Sequence, residues 1–434
     1  MHIKKHLSFS GLRETIRQRF DQVEDHRRGV VDYSVPDCLM SAFAMMFFQD
    51  PSILQFQKRL EEAANRNNLK TLFGVDKIPG DTQLRDVIDA CRPDQIEAIF
   101  TDFFRHLQRG KQLERYQWLD GRHLILLDGS EYFSSEKIHC PGCLRTESPK
   151  GKIRYHHQIL QAVLARPGEK VVLPLAPEAV RNEDGTEKQD CEIKAAKRWI
   201  RTFRRDHPKL NVVIGGDSLY SKQPFIHELK QARMSYVLVA KPADHPVLFE
   251  WVGELRDMGE TRALEFKGAK GYTHLYIWAE QVPLNGQPQS DEVNFIEYSM
   301  IREDGTVTYY NTWVTDIHVD RHNVVELVNA GRARWKIENE GFNTLKNQGY
   351  HIEHNFGHGK NNLSYILFLL NLLAFFVHQI GQLCDPWYQQ CRAKFTSRKE
   401  YWNQLRCTLR IIVFQTWESL LSLIIDPENW KPPP

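Results

Sequence analysis

Short apolar runs bounded by turn residues constrain this chain more than any other feature. Leu-Ile-Leu-Leu at 124–127, Asn-Val-Val-Ile-Gly-Gly at 211–216 and Tyr-Val-Leu-Val-Ala at 236–240 are too brief for core helices. They suit strands buried on both faces of a sheet. YHHQILQAVLA at 155–165 and VVLPLA at 171–176 read as two more strands. A helix is expected from Glu192 to Arg205, and a short one after Pro224. The order is three strands, helix, strand, helix, strand, which predicts an α/β core.

The rest of the chain is organised around that core. Residues 1–115 read as a helical domain. Pro36 and Asp37 open the apolar run CLMSAFAMMFF, Asp50-Pro51-Ser52 starts another helix, and Asp81-Thr82 suits a third that ends at Arg92-Pro93. Such a unit fits DNA binding or a structural, dimerising role. Residues 116–241 form the first part of the core. Residues 242–318 show the alternation of HLYIWAE and VTYYNTWVTD and read as a β-rich insertion. Residues 319–380 supply the second part of the core, opening with a helix from Asn323 to about Lys346. Residues 381–434 form a helical C-terminal region.

One stretch, Leu363 to Ile380, is about long enough to cross a bilayer. Ser364, Asn371, His378 and Gln379 interrupt it, and no other segment resembles it. A buried core helix is the expectation, with no membrane partner. The N-terminal sequence lacks the long apolar run of a signal peptide. The eight cysteines are scattered along 434 residues, which fits a reducing compartment. A formal net charge of +2 means that any nucleic-acid surface must come from charge placement.

The carboxylates carry the chemistry. Asp128 directly follows Leu-Ile-Leu-Leu, and Asp217 directly follows the Val-Val-Ile-Gly-Gly run. Strand ends are where open α/β sheets place functional groups, although Asp is also an ordinary turn residue. Helical periodicity supplies a third acid. Val324, Val328, Gly331, Trp335, Glu338, Phe342 and Leu345 are spaced by four and three, and all but Glu338 are apolar or glycine. A carboxylate in a core-facing stripe is costly unless it is paired or binds a metal, which selects Glu338 over Glu340. The simpler alternative is an ion pair with Arg334. Converging carboxylates repel one another, and divalent cations remove the conflict. Mg²⁺ takes carboxylate and phosphate oxygens, and two such ions suit phosphodiester cleavage without a nucleophilic side chain.

With those residues in place, a family resemblance appears. RWKIENEGFNTLK, Arg334 to Lys346, resembles the Tyr-Arg-Glu-Lys signature of bacterial insertion-sequence DDE transposases. LLDGS and IGGDS resemble the blocks around that family's two aspartates, and SSEKIHCPGC, YHHQILQAVL and KQDCEIKAAKRW resemble further blocks. The resemblance covers roughly residues 120–380. It implies an RNase H-like mixed sheet with flanking helices and a β-rich insertion. It implies Asp128, Asp217 and Glu338 as catalytic ligands of Mg²⁺ or Mn²⁺, two ions per site, with Arg334 on phosphate. It also implies a homodimer acting on double-stranded DNA, transposon-end inverted repeats and target, in the bacterial cytoplasm at the nucleoid. Trp313 lies where some relatives stack an aromatic on a displaced base, and a strand Trp also suits plain packing. Two positions depart from the pattern. Gly331 stands at the signature Tyr, and Leu345 at the signature Lys, with Lys346 next to it. The open alternatives are a related nuclease without strand transfer and a DNA-binding protein whose catalytic site is unused.

Two other features stand out. Cys140-Pro141-Gly142-Cys143, with His139 beside it and His156-His157 beyond, has the short spacing of a zinc-ligating turn or of a tight Pro-Gly turn. Lys194, Lys197, Arg198, Arg201, Arg204 and Arg205 form a basic stripe that suits a phosphate backbone or a solvated face. The loop from Lys137 to Arg154, with Lys150 and Lys152, is a second basic candidate.

Overall fold

The computed structural model describes residues 3–181, 190–268 and 271–431. The apolar runs form strands, as the sequence suggests, and they join one mixed sheet flanked by helices. Its strands are β1 (Gln117–Trp118), β2 (Arg122–Ser135), β3 (Leu144–Glu147), β4 (Ile153–Ala165), β5 (Leu173–Pro174), β6 (Glu178–Val180), β7 (Val212–Gly216), β8 (Ser235–Val239), β9 (Arg262–Lys267), β10 (Thr273–Pro283), β11 (Glu292–Ile301) and β12 (Val307–Thr315). The order is β3-β4-β2-β7-β8-β12-β11-β10-β9, with β1 on β2 and with β5 and β6 on β4. β2, β7 and β8 run parallel, and β4 and β12 flank them antiparallel.

β2 departs from its expected length. It continues through Asp128 to Ser135 instead of stopping at Leu127. Gly129, Ser130 and Ser134 are turn formers by local preference, but β4 pairs with β2 as far as Ser135↔Tyr155, with a bulge between Glu131 and Phe133. Pairing with a long neighbour overrides the local preference.

The β-rich insertion expected over 242–318 opens with a helix before its strands. Pro246–Asp257 is a helix with Pro246 in its first turn, and it buries Leu248 and Val252. Proline breaks a helix interior but suits this position. The strands β9 to β12 follow as an antiparallel meander, and Trp313–Thr315 of β12 pairs with Val237–Val239 of β8. The insertion therefore extends the core sheet.

The expected helix from Asn323 to Lys346 is interrupted. An α-helix spans Val324–Arg332, and short i→i+3 bonds follow from Lys336 to Ala333 and from Ile337 to Arg334. A π-helical turn covers Ile337–Phe342 and a short α-helix covers Asn343–Asn347.

The N- and C-terminal helices share one apolar core. Helix Val35–Phe47 is capped by Ser34, whose side chain accepts from the Asp37 amide. Its Phe47 ring lies 4.6 Å from His378, 5.3 Å from Trp402 and 5.3 Å from Trp417. Buried Asn68 donates to the carbonyls of Leu409 and Ile412 and accepts from the Phe414 amide. Helix Leu363–Cys384 is long and apolar enough to cross a membrane, and its apolar window is wholly buried inside the protein. That matches the expected core helix.

Residues 1–115 therefore lack a complete core by themselves. The isolated 1–115 segment is expected to show no cooperative thermal transition by circular dichroism. In the full chain, Phe47→Ala should cost about 3–5 kcal/mol. Near-full stability of Phe47→Ala in denaturant melts would contradict the shared core.

Candidate active site

Strand register brings the two aspartates together. β2 and β7 are adjacent and parallel, with Leu126 opposite Gly215. Two residues further along each chain are Asp128 and Asp217. Both therefore lie just beyond the paired stretch, and Asp217 is near enough to act electrostatically on Asp128. β7 ends at Gly216, and the chain turns away. Asp217 shapes that turn, its Oδ1 accepting from the Leu219 amide at 2.9 Å. Asp128 thus lies within β2, at the point where its parallel neighbour leaves. Its expected position at a strand end holds for β7 but not for β2 itself.

Glu338 reaches the site from the π-helical turn. Arg334 Nη1 donates to Glu338 Oε1 at 2.5 Å, with the Arg334 side chain 16 % exposed and Glu338 35 % exposed. The ion pair weighed as the simpler alternative is therefore present. It does not remove Glu338 from the acidic group, because the charges acting on Asp128 include Glu338, Asp217 and Arg334. Burial raises the Asp128 carboxyl to about 7. Glu192 adds to the rise, Arg334 opposes it, and Glu338 and Asp217 raise it further.

Glu192 is a fourth carboxylate that sequence reasoning missed. It opens the helix Glu192–Asp206 and accepts from the Tyr220 hydroxyl at 2.5 Å and from Gln158 Nε2 at 3.2 Å. Burial raises its carboxyl, and the Tyr220 hydrogen bond opposes the rise. Glycines make room for this arrangement. A side chain at Gly129 would collide with Glu192 Oε2, and a Cβ at Gly216 would lie 2.7 Å from the Tyr220 ring. The glycines of Asp-Gly-Ser and Gly-Gly-Asp were the available signal, since glycine in a strand often marks a close approach.

The four carboxylates are an all-oxygen donor set, which fits a hard cation such as Mg²⁺ or Mn²⁺. They are not drawn tightly around one point. Among the described residues, the cluster with all ligand atoms within 4.8 Å of one another is Cys140, Cys143, His157 and His358. Asp128 is the member on which the other three all act electrostatically.

The other candidates fall as follows. Lys346 Nζ pairs with Glu353 at 2.8 Å and acts electrostatically on Glu131, three residues beyond Asp128 on β2. Trp313 is fully buried and packs on Gly331, so it presents no face to a base. Its indole occupies the space that a side chain at position 331 would need. The exposed aromatic is Trp335, expected on the buried stripe but 51 % exposed, with the Arg334 guanidinium 5.1 Å from its ring. Glu340 is half-buried like Glu338, so burial alone does not separate them.

The arginines of the basic stripe are engaged by the protein's own acceptors, although Arg201 and Arg205 remain exposed. Arg198 pairs with Glu178 and Asp190 at 2.8 Å, and Arg201 with Glu228 at 2.6 Å. Arg204 donates to the carbonyls of Ala232 and Leu210, and Arg205 to Asp206. In the second basic loop, Arg154 pairs with Glu131 and Lys152 with Glu136.

In comparisons with known proteins, no family model and no curated protein matches the chain.

Two outcomes follow from this geometry. The native Asp128 carboxyl titrates above the ordinary value of 3.8. In metal-free protein, stability is therefore lost as pH rises from about 4 through about 7. Asp128→Asn should stabilise metal-free protein at pH 8 by about 1–3 kcal/mol after solvent screening, with no gain near pH 4. Urea melts in chelator at both pH values test this, and an equal effect at both would refute the buried charge. Secondly, Gly331→Ala should destabilise by about 1–3 kcal/mol through the Trp313 clash. Helix propensity alone predicts the opposite sign, so a thermal melt decides between them.

Proposed function

We propose that the chain is a DNA transposase of the bacterial insertion-sequence DDE type. It would cleave at transposon ends and join them to target DNA by metal-dependent hydrolysis and transesterification. The observation that carries this reading is the convergence of Asp217, Glu338 and Arg334 on Asp128, with both aspartates just beyond the β2–β7 pairing and the other two residues on a later helix. The sheet supports it too. In chain order, β2, β4 and the short β5 and β6 form an antiparallel set, then β7 and β8 add in parallel on the other side of β2. Such an arrangement supports the proposed RNase H-like core.

Mg²⁺ or Mn²⁺ held by these oxygens would activate a water or a 3′-hydroxyl and stabilise the leaving oxygen of a phosphodiester. The protein's own groups have separate tasks. Asp128, central and raised towards neutral pH, gives up its proton when the ligands assemble. Asp217 and Glu338 flank it. Arg334 holds Glu338 in place and turns its remaining N–H groups to a phosphate. Lys346 adds positive charge beside the site. Trp335 offers an exposed ring beside Arg334, and base stacking on such a ring is worth about 1–3 kcal/mol. Glu192 is a positioning residue, tied to Tyr220 and Gln158, that adds negative charge next to Asp128. Two copies acting together would hold a pair of inverted-repeat ends.

The full chain should be incubated with Mg²⁺ and labelled duplexes carrying the inverted repeats that flank its gene. Cleavage followed by joining is expected. Cleavage alone would make it a nuclease, and retarded but uncut DNA would make it a binding protein. Glu338→Gln should lower cleavage by about a thousandfold, and parental cutting by that variant would sink the site assignment. Glu192→Gln should cost about 10–100-fold and raise the Mg²⁺ concentration for half-maximal rate, with DNA binding intact. An unchanged Mg²⁺ dependence would remove Glu192 from the metal environment.

A further inference from the structure

The Cys-Pro-Gly-Cys turn is half of a larger constellation. Cys140 and Cys143 lie between β2 and β3, His157 lies on β4, and His358 lies in the segment before helix Leu363–Cys384. The two thiols are buried. His139 and His156, the histidines closest to the turn in sequence, face elsewhere. His139 stacks on Tyr155 at 4.4 Å, and His156 faces Glu131 at 3.8 Å.

The distances have a specific meaning. Zinc binds Cys sulfur at about 2.3 Å and His nitrogen at about 2.0–2.1 Å, so a tetrahedral site has S–S edges of about 3.8 Å and S–N edges of about 3.5 Å. Here Cys140 Sγ and Cys143 Sγ are 3.8 Å apart. His157 Nε2 is 3.4 Å from each sulfur, and His358 Nε2 is 3.5 Å from Cys143 Sγ. A disulfide would need sulfurs about 2.05 Å apart. Aromatic neighbours hold both imidazoles, with Tyr132 stacked on His157 and the Phe133 ring 4.2 Å from His358.

We infer that Cys140, Cys143, His157 and His358 bind one structural zinc ion. Four protein ligands fill the tetrahedron and leave no open position for a substrate, so the site is structural and not catalytic. Its ligands come from three chain segments, and Cys143 and His358 are 215 residues apart. The ion therefore fastens the segment that follows the Glu338 turn onto β4. His157 stands opposite Phe133 on β2, and Asp128 stands opposite Gln161. Four positions along β4 is about 13 Å, so the zinc site is separate from the carboxylates. The inference does not rest on the transposase reading, and neither outcome decides the other.

The full-length protein should be purified without chelator and its metal measured by elemental mass spectrometry. One zinc per chain is expected. Cobalt substitution should give strong visible absorption of tetrahedral Co²⁺ and a near-ultraviolet thiolate charge-transfer band. His358→Ala and Cys143→Ser should lose the zinc, and Cys407→Ser should keep it. A full zinc complement in His358→Ala would overturn the ligand set. If the variants do not fold, the parent chain still decides. A metal-free parent without a tetrahedral cobalt spectrum, or one carrying a Cys140–Cys143 disulfide, would overturn the site.

Discussion

Mutual repulsion among half-buried carboxylates is the constraint on which the rest of this structure turns. Asp128 is flanked by Glu192, Glu338 and Asp217, and together with burial they lift its carboxyl to about 7. Such a group is expensive to build and cannot arise from loose surface acids. Parallel register brings two members near each other, because Asp128 on β2 and Asp217, the residue just after β7, each lie two residues beyond the last β2–β7 pair, Leu126 and Gly215. Two glycines let the others approach, Gly129 beneath Glu192 and Gly216 beneath Tyr220. Arg334 offsets part of the charge. Register and the glycines thus impose a concentration of negative charge that stability alone would not favour, and Arg334 lowers its cost. A divalent cation held there would lower it further, and that is the physical case for the proposed phosphoryl chemistry.

The sequence makes Asp217 legible because an apolar run ends abruptly at two glycines and an acid. Asp128 is half legible. Its residue type and neighbour runs point to it, but the glycine and serines that follow suggest a turn, and only β4 reveals a continuing strand. Glu192 is hidden for a different reason. An acid in the first turn of a helix is ordinary, since it complements the helix dipole. What distinguishes it is the reach to Tyr220 and Gln158, residues 28 and 34 positions away. Contacts of that separation leave no local pattern. The same holds for His358 and the Cys-Pro-Gly-Cys turn, and for Arg198 and Arg201 of the basic stripe, whose acidic partners Glu178 and Glu228 lie on other elements.

Glu338 shows how a sound selection can rest on an incomplete premise. The four-three stripe assumes one uninterrupted α-helix. The chain instead tightens after Arg332 and then widens into a π-helical turn from Ile337 to Phe342. This turns Trp335 to solvent while Ile337 and Phe342 stay buried. π-turns concentrate at functional sites because they re-aim side chains within a helix. The swap at Gly331 fits the same local geometry. Trp313 fills the space over that position, so an aromatic there would have no room, and the ring open to solvent lies beside Arg334 instead.

The helical N-terminal region bears on how Glu338 is held. The segment after its turn, residues 348–362, must be fixed if Glu338 is to keep its place. Asp89, at the end of an N-terminal helix, accepts from the amides of Lys360, Asn361 and Leu363 at 2.9–3.0 Å. Tyr350 hydrogen-bonds His378 at 2.6 Å, and Asn371 donates to the Tyr350 carbonyl. His358 lies between these fastenings, against the buried thiols of the first core part. The segment is therefore pinned from three sides by elements far apart in sequence. At least one function of residues 1–115 is thus structural. Their apolar core and the Asp89 cap hold the segment after the Glu338 turn against the sheet-bearing part of the chain.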